Sequence, residues 1–304
     1  MEPDVLVVGE SLVDIVRGDD GSDLEFPGGS AANVAVALAR LGRPVRFATS
    51  FADDDYGRLV RNHLEKAGVA LAVDPGSVAR TSTARATIAD DGRAAYEFDL
   101  DWQLSGTAAL GAGPRVVHTC SLGAVLAPGA TDVLELVTRL RQTATVTYDV
   151  NARPAITGTG PETVAAVEQV VAVSDIVKAS DEDLAALYPG REVADVAAEL
   201  RSRGPKAVVV TKGPDGAVWF GQRGTVEVAS VRVPVVDTIG AGDTFGAALI
   251  DALWAHDLLG ASRRGALGQI GPDVVRAVLG HAARAAAVTV SRPGADPPYR
   301  SELV

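Results

Sequence analysis

Residues 236–245 bring together the glycines, carboxylate and hydroxyl groups that phosphate chemistry requires. The segment reads Val-Asp-Thr-Ile-Gly-Ala-Gly-Asp-Thr-Phe. The apolar run over 231–236 predicts the end of a strand, and Phe245, Ala248 and Leu249 begin an apolar stripe at helical spacing. Glycines at such a turn let the backbone approach a ligand, and the first turn of a helix offers free N–H groups and the positive end of a dipole. The sequence therefore predicts a binding site for a phosphate or its transition state.

Asp243 stands at the mouth of this predicted anion site. A carboxylate is unfavourable there unless it takes part in the chemistry, for example by accepting a proton from an attacking hydroxyl group. A simple helix cap is the alternative, because Asp is a preferred capping residue. The segment is not a Walker loop, which would continue with Gly-Lys-Ser/Thr, and Phe245 stands where a dinucleotide fingerprint needs its third glycine.

The composition favours a globular protein without a nucleic-acid or membrane partner. The chain has 304 residues, of which 47% are hydrophobic and 22% charged, and its net charge of -11 argues against nucleic acid. The lone cysteine, Cys120, excludes an internal disulfide framework and fits a reducing compartment. Neither a basic signal sequence nor an apolar run of about 18 residues is visible. We expect a cytoplasmic protein.

A second group of candidate residues lies near the N-terminus. Asp14 follows an apolar strand pattern, and Gly28 and Gly29 precede a helix of small and apolar residues. We expect Ser30 to cap this helix. Asn33 lies in its first turn, with its amide predicted to point toward the glycine pair. Taken alone, these features also fit a packing device and a local cap.

Strand and helix patterns alternate through most of the chain. Strands are predicted at 5–8, 46–51, 116–119, 144–149, 175–178 and 207–211, and helices at 130–141, 161–173, 181–187 and 193–203. This alternation predicts a mostly parallel sheet covered by helices, with ligands at the carboxyl ends of the strands. Residues 82–104 instead alternate around Asp90-Asp91-Gly92, which predicts an antiparallel hairpin. Together with residues 14–27 it is expected to form a small separate sheet.

Both glycine-containing segments carry a family resemblance. Residues 237–245 resemble the C-terminal signature of the PfkB, or ribokinase-like, family of sugar and nucleoside kinases, and Gly9-Glu10, Asp14 and residues 28–33 resemble its N-terminal signature. The resemblance extends from Val5 to Pro298. It implies a single ribokinase-like α/β domain over 1–304, built as a three-layer, doubly wound, mostly parallel sheet. It also implies a small antiparallel β lid from about 14–27 and 82–104.

The resemblance implies roles for residues around the sugar. Asp243 would be the catalytic base, and the backbone of Gly240, Ala241 and Gly242 would form the anion hole. Asp14, Gly28, Gly29 and Asn33 would hold the sugar. The run 149–154 resembles a fructokinase Asp-Pro-Asn-x-Arg segment with Val150 in place of Pro, so Arg153 would approach the sugar or the transferring phosphoryl group. Arg85 and Phe98 are the expected lid contacts.

The resemblance also implies ATP, Mg²⁺ and K⁺. Residues 178–183 stand where the family has Asn-x-x-Glu, which orders magnesium-bound water, so Asp183 is expected to act there through water. The nucleotide side is expected to comprise Lys178, Ser180, Thr211, Lys212, Gly213, Gly216, Ala241, Gly242 and Ala283. The monovalent cation is expected at Asp237, Ile239, Arg292 and Gly294.

The expected activity is that of an ATP-dependent sugar kinase acting on a small-molecule sugar. Gly9-Glu10 resembles fructokinases and 2-keto-3-deoxygluconate kinases, and the ending over 291–298 resembles fructokinases, so fructose is the expected substrate. A 2-keto-3-deoxygluconate kinase is the nearest alternative, with Arg85 the one lid cation that favours it, followed by a ribokinase or a nucleoside kinase. A catalytically silent sugar-binding regulator is the alternative outside enzymes. Exposed lid strands predict a homodimer through the lid.

Overall fold

A nine-stranded sheet forms the centre of the computed structural model, which describes residues 4–17, 22–88, 94–107, 110 and 113–303. In sheet order its strands are β13 (Gly224–Val228), β12 (Ala217–Gly221), β11 (Ala207–Thr211), β10 (Ile176–Ser180), β9 (Thr145–Asp149), β8 (Val116–Cys120), β1 (Val5–Val8), β4 (Val45–Ala48) and β5 (Ala70–Leu71). Neighbours from β11 to β5 pair in parallel, whereas β12 and β13 are antiparallel. The carboxyl ends of the parallel strands therefore meet at one edge.

Helices cover both faces of this sheet. They are α1 (Ser30–Arg40), α2 (Asp55–Lys66), α3 (Ser121–Val125), α4 (Gly129–Leu140), α5 (Pro154–Thr157), α6 (Pro161–Ala172), α7 (Asp181–Leu187), α8 (Val193–Ser202), α9 (Ala241–Ala255), α10 (Arg264–Gly268) and α11 (Pro272–Val290). Within β1, Val5 and Val7 pack among α1, α9 and α11, while Leu6 and Val8 pack with α4 on the other face. The predicted three-layer, doubly wound architecture is confirmed. In the part of the chain described, no helix has the length and apolarity needed to cross a membrane.

A smaller, four-stranded sheet stands beside the main one. It consists of β3 (Asp23–Gly28), β2 (Leu12–Arg17), β6 (Thr83–Ile88) and β7 (Ala94–Asp99), in that order. The β2–β3 and β6–β7 pairs are antiparallel, and the central β2–β6 pair is parallel. We call this sheet the lid sheet. The predicted Asp90-Asp91-Gly92 turn lies outside the described residues.

The register of the lid sheet decides which side chains share a face. Phe26, Asp14, Ala84 and Phe98 lie side by side in one row of the sheet. The next row, with Arg85, points to the opposite face, because successive side chains of a strand alternate.

The strand predicted at the end of the 231–236 run is absent, which corrects the sequence-based prediction. Val235 and Val236 are 66% and 61% exposed, and the run has irregular backbone. The reason is its position: the chain leaves the sheet after the edge strand β13 and crosses to α9 without a neighbouring strand to pair with. Instead, the Val236 N–H donates to the carbonyl of Val290 at the end of α11, at 2.8 Å. Apolar composition alone does not distinguish such a crossing from a buried strand.

Candidate active site

The start of α9 lies at the carboxyl edge of the main sheet and is shaped by Gly240. This residue has a left-handed φ of 73°, and a Cβ on it would lie 2.7 Å from the Cβ of Ala295. Only glycine satisfies both conditions without strain. The Thr244 N–H donates to the Gly240 carbonyl at 2.8 Å, which starts the helical hydrogen bonds. The N–H groups of Gly242 and Asp243 therefore belong to the first turn, where intrahelical acceptors are missing.

Asp243 is buried in this first turn, with an exposed fraction of 5%. Its Oδ1 accepts the hydroxyl of Ser30 at 2.7 Å, and its Oδ2 accepts the Nδ2 amide of Asn33 at 2.8 Å. The predicted cap at Ser30 is wrong, because Gly29 occupies the cap position and Ser30 is the first residue of α1. Likewise, the Asn33 amide turns toward Asp243 and not toward the glycine pair. Two sequence segments about 210 residues apart thus meet on one carboxylate.

Glu10 stabilises the backbone beside Asp243, a role that the sequence analysis did not predict. Its Oε1 accepts the Ser30 N–H at 3.1 Å and its Oε2 accepts the Gly123 N–H at 2.7 Å. Burial raises the pKa of this carboxyl to about 7, against the lowering effect of the backbone donors and of Arg153. Glu10 therefore ties the start of α1 to the turn after β8.

Asp14 and Gly28 fit together at the edge of the lid sheet. A Cβ on Gly28 would lie 2.2 Å from the Asp14 carboxylate, so any larger residue would displace that carboxylate. Burial raises the Asp14 pKa to about 6, while the charge of Arg153 lowers it and that of Asp243 raises it. Arg153 and Asp243, both predicted site residues, are therefore close enough to Asp14 to influence its pKa. Phe98 lies on the same face of the lid sheet as Asp14.

Arg85 does not join this group, which corrects the predicted lid contact. It lies on the opposite face of the lid sheet, and its guanidinium donates to Asp23 at 2.6 Å. The sequence could not place it, because a one-residue change in strand register moves a side chain to the other face.

Lys178 and Asp149 form a buried ion pair behind the anion site. The ammonium Nζ lies 2.7 Å from the Asp149 Oδ2, and a Cβ on Gly242 would lie 3.1 Å from the same nitrogen. Burial raises the pKa of Asp149 to about 6, against the lowering effect of Lys178. Burial lowers the pKa of Lys178, but the attraction of Asp149 outweighs it and the net direction is upward. A positive charge is thus held next to the first turn of α9.

Asn151 and Arg153 lie in the loop after β9. Asn151 has a left-handed φ of 36°, a conformation that Asn tolerates better than most residues. Its Nδ2 donates to the Ser30 hydroxyl at 2.8 Å and reaches the Asp243 Oδ1 at 3.3 Å. The exposed Arg153 donates from Nη1 to the Asn151 Oδ1 at 2.6 Å. Asn151 is a site residue that the sequence reasoning missed, although it stands in the resembling run two positions before Arg153.

Ser180 and Asp183 serve the local backbone. The Ser180 hydroxyl accepts the Asp183 N–H at 2.9 Å and the Asp183 Oδ2 accepts the Ser180 N–H at 2.8 Å, which is a capping box at the start of α7. The Asp183 Oδ1 accepts the Ala152 N–H at 2.8 Å. Both oxygens of this buried carboxylate are therefore engaged, and the structure gives Asp183 the task of holding the loop after β9.

Four of the residues predicted to face the nucleotide lie around the end of β11: Thr211, Lys212, Gly213 and Gly216. Thr211 is the last residue of that strand, and Lys212 precedes a 3₁₀ turn over Gly213–Asp215. The Lys212 ammonium lies 3.3 Å from the carboxylate of Glu227. This edge is adjacent to Ser180, because Thr211 pairs with Ser180 in the sheet register.

The two glycines of this loop have different surroundings. Gly213 has a φ of 50° and open space where a Cβ would stand. A Cβ on Gly216 would lie 2.1 Å from the carbonyl oxygen of Val228, so this glycine is required for packing against β13. Ala283 is buried on α11 and brings no polar group.

The loops predicted to hold a monovalent cation meet at Asp237. Its Oδ1 accepts the Ile239 N–H at 3.0 Å and its Oδ2 accepts the Gly294 N–H at 2.8 Å. Gly294 has a left-handed φ of 68°, and Arg292 lies in the same turn. Within the described ranges, no group of three or more His, Cys, Asp or Glu side chains is arranged to hold a metal ion.

A doubly wound sheet that carries a buried carboxylate and free N–H groups at a helix start, with a lid sheet alongside, is suited to transferring a phosphoryl group to an alcohol. The chain belongs to the family described as pfkB family carbohydrate kinase, whose model matches residues 2–301.

Related proteins agree with this assignment. A fructokinase from Rhizobium leguminosarum bv. trifolii is 34% identical over 269 residues, which cover 84% of this chain and 81% of that protein. The structure of a Xylella fastidiosa fructokinase with bound ATP superposes with a TM-score of 0.87 at 26% identity, covering 100% of this chain and 97% of the other. An aminoimidazole riboside kinase from Salmonella enterica, complexed with aminoimidazole riboside and an ATP analog, gives a TM-score of 0.80 at 25% identity, with coverage of 99% and 98%.

Proposed function

We propose that this carbohydrate kinase transfers the γ-phosphoryl group of ATP to the primary hydroxyl of a ketose, fructose, to give fructose 6-phosphate. The observation that carries the proposal is the buried Asp243 in the first turn of α9, beside the N–H groups that would receive the phosphoryl charge. Similarity to the Rhizobium fructokinase and to the ATP-bound Xylella fructokinase supports the choice of sugar and nucleotide.

Asp243 accepts the proton of the attacking hydroxyl in this proposal. The backbone of Gly240, Ala241 and Gly242 and the dipole of α9 stabilise charge on the transferring phosphoryl group. Asp14, Gly29 and Asn33 hold the sugar in this proposal, and Arg153 contacts the transferring phosphoryl group. Phosphoryl transfer needs little covalent help, so positioning and electrostatics account for the catalysis.

The proposed reaction uses Mg²⁺ and K⁺, and the protein offers different ligands to each ion. Mg²⁺ is bound mainly by substrate phosphates and water, so it needs few protein carboxylates. We assign it to the ATP phosphates; each Asp183 oxygen accepts one backbone N–H and keeps a second lone pair, with which it would bind a magnesium-bound water. The Asp237 carboxylate joins the two loops of the predicted K⁺ site, and we propose that carbonyl groups of Ile239, Arg292 and Gly294 complete it.

Two further parts of the proposal concern the whole chain. Val16, Leu24 and Phe26 are exposed apolar residues on one face of the lid sheet, which supports a homodimer formed through the lid. Use of ATP and the lone, buried Cys120 support action in the cytoplasm.

The 2-keto-3-deoxygluconate kinase alternative loses its main argument. That substrate carries a carboxylate and calls for cationic or Tyr contacts from the lid. Arg85, the lid cation considered for this contact, is paired with Asp23 on the opposite lid face. Aminoimidazole riboside enters as a competing substrate because of the Salmonella relative.

The test is an assay of ADP release with ATP, Mg²⁺ and K⁺ against fructose, 2-keto-3-deoxygluconate, ribose, tagatose, adenosine, inosine and aminoimidazole riboside. We expect turnover on fructose, and a decrease in kcat of roughly 10³-fold in Asp243→Asn, because the base is lost. Turnover on another sugar alone would overturn the substrate assignment. An Asp243→Asn protein with wild-type kcat would overturn the role of the carboxylate.

A further inference from the structure

Asp243 receives hydrogen bonds from three side chains that belong to two different segments. Ser30 and Asn33 lie on the first turn of α1, and Asn151 lies in the loop after β9. Each carboxylate oxygen has two lone pairs, so these bonds leave room for an incoming hydroxyl group. They do, however, fix the plane of the carboxylate before any sugar arrives.

The direction of every hydrogen bond in this chain of contacts can be derived from Arg153. A guanidinium only donates, so the Asn151 oxygen must face the Arg153 Nη1. The Asn151 NH₂ group must then face the Ser30 oxygen, which becomes an acceptor. The Ser30 hydroxyl has one hydrogen left to donate, and the Asp243 Oδ1 lies 2.7 Å away.

We propose that Ser30 and Asn151 form a directional relay that positions the Asp243 carboxylate and links its orientation to Arg153. The inference rests on the proposed function, in which Asp243 is the base and Arg153 contacts the transferring phosphoryl group. Ser30 and Asn151 are positioning residues, because they act through Asp243.

The backbone around Asn151 is built to keep the relay in place. The Ser121 hydroxyl donates to the Asn151 carbonyl at 3.0 Å, and the next residue, Ala152, donates to Asp183 at 2.8 Å. The two bonds hold the peptide unit between Asn151 and Ala152, and with it the backbone that carries the Asn151 side chain. The relay also explains what the capping box of α7 does for the site, since Asp183 belongs to both.

A guanidinium has five N–H donors, and the hydrogen bonds of Arg153 to its own loop all come from Nη1. Nε and Nη2 would therefore bind a phosphoryl oxygen while Nη1 keeps the Asn151 oxygen. In this way the geometry connects the phosphoryl side of the site to the base on the sugar side.

The test uses three variants and one matched control. Ser30→Ala removes the hydroxyl that donates to Asp243. Asn151→Gly removes the amide while keeping the left-handed backbone, which glycine adopts without cost. The third variant combines both changes. Ser174→Ala is the control for Ser30→Ala, because Ser174 is also buried and its hydroxyl also donates one hydrogen bond, to the Val170 carbonyl at 2.7 Å, but it packs against the face of the sheet opposite α9.

We expect each relay variant to lower kcat by about 10- to 100-fold, the effect of losing one hydrogen bond to a charged group, with KM for fructose and ATP within about twofold of wild type. The double variant should lose less than the product of the two single losses, because Asn151 acts on Asp243 partly through the Ser30 hydroxyl and partly by its own longer bond.

Losses that are fully additive in free energy in the double variant, or a folded Ser30→Ala protein with wild-type kcat, would overturn the relay. Failure of the proposed function is separate, because it would appear as unimpaired turnover in Asp243→Asn.

Discussion

At the scale of single residues, variants of the buried Lys178–Asp149 pair can separate an effect on the stability of the fold from an effect on kcat. Removing one partner of a buried pair leaves an uncompensated charge, so Lys178→Met should destabilise the fold by about 3–5 kcal/mol. The double variant Lys178→Met with Asp149→Leu should recover most of that stability, since no buried charge is left unpaired. Urea unfolding of the three proteins measures both effects.

The kinase rate of the same variants decides what the Lys178 charge does. Its Nζ lies next to the first turn of α9, so we expect kcat to stay low in the stable double variant. If the double variant regained both stability and kcat, the pair would be structural only.

The residues that sequence reasoning found and missed differ in a physical way. Asp243 and Arg153 lie in segments with a recognisable pattern of glycines, carboxylates and cations. Ser30, Glu10 and Asn151 act through contacts with residues up to 213 positions away, and no local pattern records such contacts. Arg85 was predicted as a sugar contact because a cation suits such a site. The register of β6 places it on the face of the lid sheet opposite Asp14.

At the scale of secondary-structure elements, the start of α9 depends on a glycine for two separate reasons. In Gly240→Ala, the left-handed φ would cost about 1–2 kcal/mol of stability. The new Cβ would in addition lie 2.7 Å from the Cβ of Ala295. We expect the variant to lose more stability than the φ alone explains and to lower kcat at least about tenfold, because α9 must shift away from the loop that carries Ala295.

Gly190→Ala is the matched control for this helix start. Gly190 has a φ of 76°, close to that of Gly240, but open space where a Cβ would stand. Gly190→Ala should lower the free energy of unfolding by only about 1–2 kcal/mol, measured by thermal or urea unfolding, and leave kcat unchanged. Equal effects of the two substitutions on kcat would contradict the assigned position of the α9 turn.

The elements themselves were predictable where apolar runs are buried on both faces. β1, β8, β9, β10 and β11 follow the predicted positions to within two residues. The 231–236 run failed because its valines are exposed on a crossing and have no strand to pair with. The predicted lid segments became strands, yet the parallel β2–β6 pairing between them joins residues about 70 positions apart and could not be read locally.

At the scale of the whole molecule, burial of Glu10 makes the stability of the fold depend on pH. Burial raises its pKa from 4.5 to about 7, so between these values the folded protein holds a proton that the unfolded chain has released. The contribution of Glu10 to the free energy of unfolding therefore falls as pH rises from about 4.5 to about 7 and is constant above that range. This pKa difference corresponds to roughly 3 kcal/mol.

Glu10→Gln removes that titration while keeping the size of the side chain. One of the two N–H donors, from Ser30 or Gly123, then faces an NH₂ group, which costs stability by the same amount at every pH. The stability of the variant relative to wild type should therefore improve by roughly 3 kcal/mol between pH 5 and pH 8, measured by urea unfolding at each pH. Glu199→Gln is the control, because exposed Arg191 and Arg203 lower the pKa of Glu199 and its titration lies below this window. A difference between Glu10→Gln and wild type that stays flat from pH 5 to pH 8 would show that Glu10 is already ionised throughout, held by its two backbone donors alone.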